Sequence, residues 1–98
     1  GPIGQQEAIM QVVEGKENVI LMGDFNFRPD TDQYALTTAV LNDAWLRRWP
    51  DGVDDQGIQL TDRIDHIFVS PDIVVEDMRY ILDPASDHPA TTAVLTQP

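Results

Sequence analysis

Apolar positions along the chain repeat with two different periods. Between Gln5 and Glu14, the residues Ala8, Ile9, Val12 and Val13 recur at spacings of three and four, which predicts an amphipathic helix ended by Gly15 and Lys16. Val19 to Met22 is a short, wholly apolar run, the pattern of a buried strand flanked on both faces. Polar turn residues occupy Gly23 to Pro29, and a second helix is predicted from Asp32 to Leu41 with Asp32 or Thr31 as its N-cap. The stretch from Asn42 to Asp62 reads as loop, although it holds Trp45, Trp49-Pro50 and the run Asp51 to Gly57. Strand patterns then cover Arg63 to Val69, Ile73 to Leu82 and Thr91 to Thr96, with Pro71, Pro84 and Pro89 in the turns around them. This order predicts an α/β (α+β) chain without repeats, low-complexity tracts or an internal linker.

Composition narrows the functional classes. Ninety-eight residues suffice for one small domain and leave no room for a separate substrate domain. A hydrophobic share of 42% is too high for a disordered acidic tail, so the chain is expected to fold. Six Lys and Arg against 17 Asp and Glu give a net charge of −11, which repels a phosphate backbone and argues against non-specific nucleic-acid binding. The surplus acid forms a solvated surface or gathers around a divalent cation. The absence of cysteine excludes disulfides and thiolate metal sites. No apolar run has transmembrane length and the N-terminus lacks a signal-peptide pattern, so the compartment is left unassigned.

Candidate chemistry concentrates in three places. Asp51 to Asp62 has the length of a calcium-binding loop, but Val53, Gln56 and Asp62 stand where its third ligand, its glycine and its terminal Glu belong, so it reads as a solvated surface loop. In the strand Arg63 to Val69, alternation puts Ile64, His66 and Phe68 on one face and Asp65, Ile67 and Val69 on the other, leaving Asp65 as a carboxylate near a core. A buried carboxylate needs a partner. Arg63, a backbone amide or an imidazole would serve. His66 points to the opposite face, whereas His88, in Ser86-Asp87-His88-Pro89, is held extended by the following proline and is free to pair with Asp65. In Met22-Gly23-Asp24-Phe25-Asn26, extended geometry would place Asp24 and Asn26 on one side of the strand exit, a carboxylate for a proton and an amide for a phosphoryl oxygen. The alternative is an Asx turn leading into Arg28-Pro29.

Taken in order, Gly23-Asp24-Phe25-Asn26, Arg63-Ile64-Asp65-His66-Ile67-Phe68 and Ser86-Asp87-His88-Pro89 resemble the C-terminal half of the endonuclease/exonuclease/phosphatase superfamily, with support from Pro29 and Asp43-Ala44-Trp45. The resemblance implies that residues 1–98 are the C-terminal half of a two-sheet α/β sandwich with outer helices, hydrolysing a phosphoester with Mg²⁺ or Mn²⁺. It makes Asp24 the group that orients or deprotonates the attacking water and Asn26 a donor to the phosphate. Asp65 would hold His88 against the scissile phosphate, Asp87 would be a metal ligand, and Ser86 would hydrogen-bond behind it. His66 would be only a neighbour, at a position where the family often has tyrosine. The family's early Asn, its metal-binding Glu and its aromatic or His phosphate contact have no counterparts here. The isolated chain is therefore expected to be inactive or nearly so. Its open sheet edge is expected to favour the missing N-terminal half, or self-association as a domain-swapped or edge-paired oligomer. Leu60-Thr61-Asp62 replaces the Trp that the family's abasic-site nucleases carry, and with the acidic charge it favours a small molecule or lipid headgroup over duplex DNA. A non-catalytic interaction or regulatory fragment and an acidic metal-binding module are the alternatives.

Overall fold

Caps and turns set the limits of the elements. The structure, a computed structural model, describes residues 2–60, 63–85 and 89–98. The elements are α1 (Pro2–Val13), β1 (Ile20–Asp24), α2 (Asp32–Thr38), β2 (Asn42–Asp43), α3 (Ala44–Arg48), β3 (Asp65–Val69), β4 (Val74–Ile81) and β5 (Ala90–Thr96). Gly15, at φ 76°, turns the chain out of α1. Thr31 caps α2, its hydroxyl accepting the Tyr34 amide at 3.3 Å, and Asp43 caps α3, its Oδ1 accepting the Trp45 amide at 3.0 Å.

β3 organises the molecule. It pairs antiparallel with β1 on one side and with β2 on the other, while β4 and β5 form a separate antiparallel sheet. Alternation along β3 divides the core as the sequence pattern requires. Phe68 packs with Met10, Phe27, Tyr34 and Leu41 beneath the two longer helices. Ile67 and Val69 pack with Trp45, Trp49, Met78 and Tyr80 against α3 and the second sheet. The result is mixed α/β: two helices, a three-stranded sheet and a two-stranded sheet in layers, with α3 packed on β3 and β4.

Several elements depart from the pattern-based expectation. The inward face of α1 is set by Gln6 and Met10, with Ile9 and Val13 half-buried, and Val12 is 63% exposed. Gln6 faces inward because its amide donates to Thr37 Oγ1 at 2.7 Å, which rotates the helix away from the purely apolar stripe. β1 is apolar but not covered on both faces: Ile20 is 43% and Met22 61% exposed. It is a marginal strand, and the second sheet packs on β3 rather than on it. The stretch from Asn42 contains β2 and α3, and both of its tryptophans belong to the core. The run Asp51 to Gly57 is more than solvated loop, because Asp54 is buried and accepts the amides of Gln56 and Ile58 at 2.8 and 2.9 Å. Arg79 of β4 ties this loop to the strand through Asp55 and, at 3.8 Å, Asp54, and pairs along its own strand with Asp77 at 3.1 Å.

Candidate active site

The register between β1 and β3 aligns Asp24 with Asp65. Directly opposed residues share a face of the sheet, here the face of Ile20, Met22 and Ile67 that looks toward the second sheet. Asp24 is exposed and Asp65 half-buried, so a pair of carboxylates stands at the open end of the sheet. Like charges in opposed positions repel, so such a pair calls for a cation or an imidazolium beside it.

The chain leaves β1 in a tight turn. Asp24 Oδ1 accepts the Asn26 amide at 2.9 Å, and Asn26 lies in the left-handed region at φ 57°. Asp24 to Asn26 is thus an Asx turn and not an extended segment, because the short Asp side chain captures the amide two residues on. The turn is pinned on both sides of Asn26, to β3 and to the residue before that strand. The Phe25 amide donates to the Ile64 carbonyl at 3.0 Å, and the Phe27 carbonyl lies 2.8 Å from His66 Nε2. Asn26 is left exposed beside Asp24. Three residues beyond it, Pro29 and Asp30 open a groove of about 470 Å³ whose other walls include Trp45, Leu46, Gln59 and Leu60.

Behind Asp65 lies a buried polar network that the motifs alone did not reveal. Arg63 Nη2 meets Asp43 Oδ2 at 2.9 Å with both side chains nearly inaccessible, and Arg63 Nε donates to the Leu60 carbonyl at 3.2 Å. Tyr34 donates its hydroxyl to the same Asp43 oxygen, and Tyr80 donates to the Asp65 carbonyl at 2.7 Å. Burial and the Asp43 carboxylate both raise the Tyr34 hydroxyl above its ordinary pKa. For Arg63, burial favours the neutral form, but Asp43 overrides it and holds the guanidinium charged. Arg63, one of the partners considered for Asp65, therefore serves Asp43. The signal for this role was present in Asp43-Ala44-Trp45, an aspartate in N-cap position ahead of a core tryptophan.

The remaining predicted site residues, Ser86, Asp87 and His88, lie outside the described residues. His66 faces away from Asp65, as alternation requires, and is enclosed by Phe25, Phe27, Tyr34 and Phe68. Among the described residues no group of three or more His, Cys, Asp or Glu side chains is arranged to hold a metal ion. The opposed Asp24 and Asp65 offer two carboxylates. That fits a Mg²⁺ ion that keeps most of its waters and takes one or two carboxylates from protein. No helix among the described residues is long and apolar enough to cross a membrane.

Comparison with known proteins bears on the family. The sequence model of the Endonuclease/Exonuclease/phosphatase family matches residues 3–88. No curated protein sequence matches significantly. Among solved structures, a mannosyl-6-phosphatase of Bacteroides thetaiotaomicron is similar at 27% identity and TM-score 0.58, covering 97% of this chain and 44% of its own. An endonuclease/exonuclease/phosphatase family protein of the same organism shows 26% identity and TM-score 0.48, over 94% of this chain and 38% of its own. The chain thus spans less than half the length of either protein.

Proposed function

The chain belongs to the endonuclease/exonuclease/phosphatase family, and on that basis we propose that it contributes one catalytic half of a metal-dependent phosphoester hydrolase. The opposed Asp24 and Asp65, beside a turn that leaves Asn26 exposed, carry this reading. Asp24 orients or deprotonates the attacking water, and the Asn26 amide donates to a phosphoryl oxygen as negative charge develops on it. Asp65 accepts from His88 and keeps its imidazole charged against the phosphate. Asp87, with Ser86 behind it, and Asp24 are the residues that would hold Mg²⁺ or Mn²⁺, with water completing the shell. The ion neutralises phosphate charge when bound.

Three observations support a small phosphoester, such as a sugar phosphate, over duplex DNA. The net charge of −11 disfavours a polyanion. The groove beyond Asn26 combines the apolar Trp45, Leu46 and Leu60 with the polar Asp30, Gln59 and Arg63, a mixture of apolar surface and hydrogen-bonding groups that suits a sugar. The structurally similar mannosyl-6-phosphatase is named for a sugar phosphate. The exposed Ile20 and Met22 on marginal strand β1 support the further reading that a complementary half, or a second copy, covers this face in the working protein. The isolated chain is accordingly inactive or nearly so.

The test is Mg²⁺-dependent hydrolysis of bis-p-nitrophenyl phosphate and of mannose 6-phosphate, by the isolated chain and by a complete domain containing it. The complete domain is expected to turn over one of them and to lose about 10²–10⁴-fold in rate on Asp24→Asn. Undiminished hydrolysis by that variant would sink the catalytic assignment, and robust turnover by the isolated chain would sink its dependence on a complement.

A further inference from the structure

His66 is a buried titratable group that the proposed chemistry does not use. Its side chain is 1% exposed in a cage of four aromatic rings, with Phe27 stacked on it at 5.3 Å and 22°. A phenylalanine would fill such a cage without desolvating two ring nitrogens. What distinguishes the histidine is a single bond. Its Nε2 lies 2.8 Å from the Phe27 carbonyl, and since a carbonyl only accepts, that nitrogen carries the proton. Nδ1 is consequently the bare nitrogen, and it has no hydrogen-bond partner among the described residues. The ring is thus committed to holding one backbone atom.

That atom lies one residue beyond Asn26, whose left-handed backbone is uncommon for a residue with a side chain and persists only where the surroundings hold it. Two other bonds restrain the turn. One comes from within it, between Asp24 Oδ1 and the Asn26 amide, and the other comes from the backbone ladder at Phe25. The His66 bond is the side-chain restraint on the far side of Asn26. We infer that His66 is a positioning residue for Asn26, fixing the turn in the orientation from which the amide reaches a phosphoryl oxygen. The inference rests on the reading of Asn26 as a substrate contact, and it extends His66 beyond a strand neighbour.

The test reads the turn directly, on the full 98-residue chain. In ¹⁵N spectra of the unmodified protein His66 is expected as the Nε2–H tautomer, and the Nδ1–H tautomer would overturn the inference without any variant. His66→Phe keeps a ring in the cage and removes the donor. It is expected to speed amide exchange at Phe25 and Asn26 by about tenfold relative to β4 and β5, and His66→Gln, which keeps a donor, is expected to recover most of that protection. Unchanged exchange at the turn, or a uniform rise across the chain, would make His66 a packing residue only. These readouts need no catalysis, so the positioning role fails or stands separately from the catalytic reading, which Asp24→Asn in the complete domain decides.

Discussion

Asp24 and Asp43 stand on the two margins of one sheet, opposite Asp65 and Phe68 of its central strand. Each ends a strand paired antiparallel with β3, and each accepts the amide two residues on, at 2.9 Å for Asp24 and 3.0 Å for Asp43. Their surroundings differ in every other respect. Asp43 is buried, and its second oxygen takes both the Arg63 guanidinium and the Tyr34 hydroxyl. Asp24 is exposed, opposite another carboxylate and beside the uncovered Met22. The same local turn chemistry thus serves stability at one margin, where every lone pair is engaged, and leaves an exposed carboxylate at the other. A site that must bind and release a phosphate needs the second condition, and a sheet that must hold that site in place needs the first.

Asp43→Ala and Asp24→Ala test this contrast with the largest expected effect. The first strands a buried guanidinium, removes the cap of α3 and leaves Tyr34 without its acceptor, and it is expected to cost about 3–5 kcal/mol. The second removes one exposed turn bond and is expected to cost about 0.5–1 kcal/mol. Urea unfolding of the two variants measures both. Equal losses would dissolve the distinction between a structural and a functional margin.

How far the sequence alone carried can be followed residue by residue. The division of β3 into His66 and Phe68 on one face and Ile67 and Val69 on the other was legible, because a strand's period of two is fixed by its backbone. Helix ends marked by Gly15 and Thr31 were legible for a similarly local reason. The inward turn of Gln6 was not, since its partner Thr37 lies on another helix. Nor was the exposure of Met22: an apolar run reports what could be buried, and only the reach of the second sheet decides what is. For the candidate site, motif order singled out Asp24, Asn26 and Asp65, while the choice between an extended exit and an Asx turn depended on Asn26 accepting a left-handed backbone. Asp43 escaped as a network centre because Arg63 and Tyr34 come from distant positions in the chain.

Acid titration gives an intermediate effect and separates the layer beneath the turn from the surface. Burial holds His66 below its ordinary pKa; Arg63 opposes protonation, and Asp43 and Asp65 favour it, with Tyr34 packed against the ring from α2. A histidine depressed in the folded state contributes fully above its unfolded pKa of about 6.5, and the contribution is lost as pH falls from there to the folded value, at no more than about 1.4 kcal/mol per pH unit. Exposed carboxylates titrate elsewhere. Arg79 holds Asp55 and Asp77 low, and the Ser70 hydroxyl with the Asn18 amide holds Asp72 low, so their contributions persist until pH drops below about 4. Unfolding midpoints between pH 8 and pH 3 should therefore show two declines. His66→Phe should abolish the upper one and leave the lower, and a flat profile from pH 7 to pH 5 in the unmodified chain would contradict the buried neutral imidazole.

The smallest effect on stability is expected at the open margin itself. Met22 lies opposite Ile67 across the sheet, on the same face, yet Ile67 is buried in the core and Met22 is 61% exposed. Removing an exposed side chain deletes little burial, so Met22→Ser should change the unfolding free energy by no more than about 0.5 kcal/mol, while Ile67→Ala should cost about 2–5 kcal/mol. The pair is informative because one sheet position differs from the other only in what covers it. Sedimentation at rising protein concentration supplies the second readout. If a second copy covers β1, Met22→Ser shifts the chain toward monomer while leaving dilute-solution stability unchanged. A stability loss above about 1 kcal/mol at concentrations where the chain is monomeric would mean that Met22 is packed within its own chain, and the margin assigned to chemistry and association would be as closed as the one held by Asp43.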